Sequence, residues 1–172
     1  MRRILLSCSV FAVLLLPAAA SARAHARPGY LVVHKASGNG GVNGHAVVTV
    51  VVHGFVLGSV SQEARVDIYQ APPSVGQGGP AVAGGDVSTK AKKWRGFSGK
   101  EYSGSGFRFR AMGGYYRVVV RGSGIYLFAG GHGNVTLQGS SFAPRADGTY
   151  SVDGRPFRSL PTRMLNRKIG RG

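Results

Sequence analysis

Twenty-two lysines and arginines against six acidic residues give this 172-residue chain a formal net charge of +16. Its single cysteine rules out an internal disulfide framework and a thiolate metal centre, so stability must come from a packed core. Twenty-eight glycines oppose long helices, and six carboxylates leave little material for acid–base catalysis.

The chain opens with Met1-Arg2-Arg3, runs through an apolar stretch from Ile4 to Leu16, and reaches Pro17 and the small-residue run Ala18 to Ala22. That order is the one of a secretory signal peptide. The apolar run is about 13 residues, short of the roughly 20 that cross a bilayer, which favours cleavage over anchoring. Ala-x-Ala sites end at Ala22, Ala24 and Ala26, and cleavage at the last assigns residues 1–26 to the leader. Cys8 falls inside it, so the mature chain carries no thiol. Without Arg2, Arg3 and Arg23, 19 basic residues face 6 acidic ones, a charge of +13. The expectation is a secreted or envelope-associated protein with no transmembrane helix after cleavage and a bias towards anionic partners.

Residues 27–160 read as one all-β domain, because the periods present are of two residues and Gly, Asn and Asp clusters punctuate the gaps. Strands are expected near Tyr30 to His34, Ala46 to His53, Phe55 to Ser59 and Ala64 to Tyr69. Val47 to Val52 is apolar on both faces, as in a central strand covered on each side. Ala64, Val66 and Ile68 instead alternate with Arg65, Asp67 and Tyr69, giving one buried and one wet face. An antiparallel β-sandwich or a small closed barrel accommodates both. The Pro- and Gly-rich stretch 71–93, ending Lys90-Ala91-Lys92-Lys93, reads as a disordered loop.

Beyond the loop, strands are expected at Gly106 to Met112 and Tyr115 to Gly122, with Gly113-Gly114 as a two-residue hairpin turn between them. That register places Phe107, Phe109, Ala111, Tyr116, Val118 and Val120 on a core side. The other side gathers Arg108, Arg110, Arg117 and Arg121 around Tyr115, with Arg110 opposite Arg117. Two readings of this face stand: a solvated surface with guanidinium planes stacked on Tyr115, or a site for a bound anion. In the second, Lys90, Lys92 and Lys93 of the loop extend the anion-binding surface, and an aromatic among the arginines suits a base or a sugar ring.

Further strands are expected at Ile125 to Gly130, Asn134 to Gly139 and Thr149 to Val152. Val50 to Gly54 followed by Val66 to Gln70 matches Val118 to Gly122 followed by Val135 to Gly139, which reads as two pseudo-duplicated halves packed face to face. The tail at 161–172, with Arg163, Arg167, Lys168 and Arg171, shows no alternation and reads as loose.

Catalytic and cofactor motifs are missing from the mature sequence: no nucleophile elbow, Walker loop, dinucleotide fingerprint, zinc helix or calcium loop. His45 and His53 share a strand parity but sit roughly 26 Å apart at strand rise, so they do not share a metal. No catalytic residue, metal site or cofactor is therefore expected. The leading expectation is a non-catalytic module that associates with anionic polymers, envelope polysaccharide or nucleic acid, through its basic face. The alternatives are a structural protein that self-assembles through its Val-rich strands and a hydrolase built around Glu101, Asp86 or a histidine.

Overall fold

The computed structural model describes residues 27–36, 46–71, 79–139 and 148–170, so the expected leader, the glycine-rich stretch around Gly40, His45 and Asp147 lie outside the described residues. Every regular element among the described residues is a strand. In chain order they are β1 (Gly29–Ala36), β2 (Ala46–Val60), β3 (Ala64–Gln70), β4 (Ala81–Ala83), β5 (Asp86–Trp94), β6 (Phe97–Ser105), β7 (Phe107–Gly122), β8 (Ile125–Gln138), β9 (Thr149–Val152), β10 (Arg158–Ser159) and β11 (Leu165–Ile169). They form a single 11-stranded antiparallel sheet in the order β10-β9-β1-β8-β2-β7-β3-β6-β5, with β11 against β8 and β4 against β7 beside this path. The path has two ends, so the sheet is not closed.

Three long strands organise it. Six segments expected to be separate strands are joined in pairs into β2, β7 and β8, because the ladder runs on through their glycines. The β2–β8 pairing is unbroken from Val47↔Gln138 to Val60↔Ile125. Between β2 and β7 one residue is inserted: Gly54 pairs with Gly114, Phe55 with Met112, and Gly113 is left over at φ +73°. This is a bulge with a left-handed glycine, not a hairpin turn. One inserted residue reverses the alternation just as a two-residue turn does. Phe107, Phe109 and Ala111 before it, and Tyr116, Val118 and Val120 after it, are all buried as expected. The Tyr116 hydroxyl donates to the Met112 carbonyl at 2.7 Å, tying the two sides of the bulge together.

β7 has 16 residues, which in extended form would span roughly 50 Å. Yet Gly122 at its end and Gly104, just before its start, both pair with Ala64. Two strand spacings and three residues of chain hold those ends within roughly 20 Å, so the strand doubles back in its middle. The sheet thus folds over into two leaves. The first holds β1, β4, β9, β10 and the halves of β2, β7 and β8 paired with them. The second holds β3, β5, β6, β11 and the remaining halves. Gly29, Gly131, Gly54 and Gly114 occupy one row across β1, β8, β2 and β7 at the line where the leaves meet. Between the leaves lies a single core, with Leu31, Val56, Phe107 and Ile125 from one and Val50, Ile68, Val118 and Leu137 from the other.

Four expectations are corrected by this architecture. The segments thought to be duplicated do not pack face to face; they interleave as neighbours, β8-β2-β7-β3, with Val50 paired directly to Val118. Val47 and Val51 are half-buried, since the outer face of β2 is flanked by its neighbours but not roofed. Within 71–93, which reads as a disordered loop, the chain forms β4 and β5. β5 is an edge strand with almost no buried residue, so it lacks alternation, and its lysines are the usual protection of an exposed edge. The tail supplies β11, in which only Ile169 is buried, too little apolar signal to read as a strand.

Candidate functional site

The two leaves turn their outer faces in opposite directions, and this divides the arginine cluster expected on one ribbon. Arg108 sits between Ser59 and Ala83, and Arg110 between Leu57 and Ala81, on the first leaf. Arg117 sits between Val51 and Tyr69, and Arg121 between Val47 and Arg65, on the second. Arg110 therefore does not oppose Arg117. The reason is the bulge: it preserves which side each residue faces but sends the strand onward instead of back along itself.

On the second leaf, strand pairing brings together residues remote in sequence. Lys92, Gly99, Tyr69 and Arg117 form one row across β5, β6, β3 and β7. Gly99 leaves room for the Tyr69 ring, since a Cβ there would lie 2.5 Å from it. Beside this row, Trp94 and Phe97 pair across the β5–β6 turn. The Trp94 and Phe97 rings stack 5.7 Å apart at 28°, Phe97 and Tyr115 lie 6.2 Å apart at a 32° tilt, and Tyr69 and Trp94 lie 6.2 Å apart at 47°. The Arg117 guanidinium lies 4.5 Å from the Trp94 ring centroid and 5.6 Å from that of Tyr69; Arg95 covers Trp94 at 5.2 Å. Such contacts hold the guanidinium over the rings.

The neighbouring charges divide by what holds them. Arg121 donates to Asp67 at 2.7 Å, and Asp67 is 5% exposed, which makes this ion pair part of the fold. Glu101 is flanked by Lys92 at 2.9 Å and Arg65 at 3.7 Å. Among the described residues no carboxylate comes within ion-pair distance of Arg117, Lys90, Lys93 or Arg95, although Lys90 stands cross-strand from Glu101. The expected anion-binding set thus separates into Tyr115 and Arg117 beside the aromatic rings, Lys90 further along the same face and cross-strand from Glu101, Lys92 and Arg121 committed to acids, Lys93 on the other face of the sheet in the row of Ser98, Gln70 and Tyr116, and Arg108 and Arg110 on the opposite leaf. Trp94, Phe97 and Tyr69 are not apparent as site residues in the sequence. The one signal was that the only tryptophan follows directly on the Lys90 to Lys93 run.

The hydrogen bond from Lys92 holds the Glu101 carboxyl below its ordinary range, and the same bond raises the Lys92 ammonium. A depressed carboxylate contributes stability above its ordinary pKa and loses it as pH falls through the lowered value. A raised lysine contributes below its ordinary pKa and loses it as pH rises through the higher one. The pair is therefore intact across the neutral range. Replacing Lys92→Met should move the Glu101 titration upwards, as read by carboxyl-carbon NMR; an unmoved titration would mean that the bond is not populated.

Among the described residues no group of three His, Cys, Asp or Glu side chains could hold a metal, and no helix is long and apolar enough to cross a membrane. Comparison with protein-family models, with curated proteins and with solved structures finds no match to this chain.

Proposed function

We propose that the chain is a secreted, non-catalytic β-domain, a two-layered sandwich whose second leaf binds an anionic polymer of the envelope or extracellular space. The observation that carries this reading is the Arg117 guanidinium over the Trp94 and Tyr69 rings, next to the stacked Trp94 and Phe97 pair and Tyr115. A polymer whose repeat combines a ring with an acid group matches it: the ring stacks on the aromatics and the acid takes the guanidinium edge. Arg95 adds a second cation over Trp94 with no carboxylate in ion-pair range among the described residues, and Lys90 lies on the same face, cross-strand from Glu101.

The test is equilibrium binding of polygalacturonate, single-stranded DNA and uncharged dextran across a salt series. If Lys90, Arg95 and Arg117 each neutralise one acid group, affinity for single-stranded DNA falls on the order of twentyfold between 50 and 200 mM salt. The slope is shallower for polygalacturonate, whose charges are sparser, and dextran does not bind. The ratio of polygalacturonate to DNA affinity then distinguishes the uronate from the nucleotide. Salt-independent binding, or equal binding of dextran, would contradict the reading.

A further inference from the structure

The outer face of the first leaf differs from that of the second. Leu57, Tyr126, Phe128 and Phe157 are between 37% and 54% exposed there, a cluster of exposed apolar side chains on one face. Strand pairing puts Phe128 beside Leu57 and Leu57 beside Arg110, and puts Tyr126 beside Ser59 and Ser59 beside Arg108. A shallow depression joins Arg108 to Leu57, Tyr126 and Phe128. No carboxylate pairs with either arginine among the described residues. The carboxylate of Asp153, near this face, is occupied by the backbone N–H groups of Tyr30 and Gly170. The surface is thus apolar at its centre and cationic at one rim.

We infer that this face docks on the surface of an anionic lipid bilayer. Its charge asks for an anionic partner, and three features select among the anionic ones. First, its rings meet edge to face: Phe128 lies at 60° to Tyr30 and 61° to Phe55, and His34 at 67° to Phe157. Rings so tilted present edges, not a shared plane on which sugars or bases stack, and this separates the face from the stacked Trp94 and Phe97 pair of the second leaf. Second, a second copy of the chain docked through the same face would bring to the arginines no carboxylate free of other bonds, since that of Asp153 already accepts from two backbone N–H groups. Third, both depressions on this face are lined by Leu57, Gly58 and Arg108, so apolar and cationic side chains stand directly side by side. The boundary of a bilayer takes that pairing: phenyl and leucine side chains enter the acyl region, tyrosine hydroxyls stay at headgroup level, and arginines meet the phosphates. The inference does not rest on the polymer reading, which concerns the other leaf.

The experiment is co-sedimentation of the protein with vesicles of phosphatidylcholine, with and without phosphatidylglycerol. Each basic residue near an anionic leaflet contributes about fivefold to partitioning, so the Arg108→Gln, Arg110→Gln variant should bind phosphatidylglycerol vesicles about thirtyfold more weakly. The Leu57→Ser, Phe128→Ser variant should lose binding as well. Because these side chains are exposed, circular dichroism should show both variants folded. A Phe128→Trp reporter in a Trp94→Phe background should shift its emission to the blue on adding phosphatidylglycerol vesicles. No sedimentation with either vesicle, an unshifted reporter, or binding that depends on Arg117 instead of Arg108 and Arg110 would overturn the inference. The first of these outcomes would leave an acidic protein as the partner of the face.

Discussion

Replacing Gly131→Val should leave little or no folded protein, with a cost on the order of 3–5 kcal/mol by chemical unfolding. Gly131 lies in the glycine row at the fold line, with φ +133°, where a side chain is strained whatever the space around it. Space is lacking too: a Cβ there would sit 2.2 Å from the His53 carbonyl oxygen on the adjacent strand, and backbone cannot move aside as a flexible side chain can. The two leaves share their long strands, so displacing β8 from β2 at this row opens the core on both sides. Gly113→Asn is the matched comparison. Gly113 is left-handed as well, at φ +73°, but a Cβ there would meet nothing within 4 Å. Asparagine tolerates that conformation, so this variant should lose no more than about 1 kcal/mol. Equal stability of the two variants would show that the row is not where the sheet folds.

The second large effect concerns Arg121, which belongs to the fold and not to the ligand surface. Arg121→Ser leaves the Asp67 carboxylate buried without its partner, and its Oδ1 has no hydrogen bond even in the intact protein. Because the arginine side chain is 44% exposed, the loss should be smaller than for a fully buried pair, about 2 kcal/mol. Adding Asp67→Val to that variant removes the stranded charge beside Val119 and should restore most of the stability. Denaturant unfolding of the single and double variants checks this. A single variant of undiminished stability but weakened polymer affinity would return Arg121 to the binding surface.

How far the sequence carries can be followed along β7. The alternation of Phe107, Phe109 and Ala111, then Tyr116, Val118 and Val120, identifies the buried face, because burial leaves its mark on each residue in turn. It does not identify the partner strand. A turn and a bulge at Gly113-Gly114 shift the alternation identically, and only long-range pairing decides between them. The candidate site depended on that decision. Arg108 and Arg110 join Arg117 under the turn and part from it under the bulge. The β5–β6 ribbon was illegible for a different reason. Only Tyr102 in it is buried, so the period-two signal that burial imposes is weak, and Trp94 and Phe97 at its turn acquire meaning only once β3 and β7 deliver Tyr69, Tyr115 and Arg117 to them. Gly99 shows a third limit: in sequence it reads as a breaker, whereas in the sheet it is the floor beneath the Tyr69 ring.

The central claim, that an anionic polymer is held on the second leaf by Arg117 and its aromatic support, is tested most directly by titrating polygalacturonate at one fixed low salt against two double variants. Trp94→Ala with Arg117→Ser should weaken binding by about tenfold or more, the loss expected for one stacking contact and its cation. Arg108→Ser with Arg110→Ser should leave the affinity within about twofold, since those residues face the other way and the salt-screened field they contribute there is small. The reverse order, or equal losses in both variants, would contradict the assignment of binding to the second leaf.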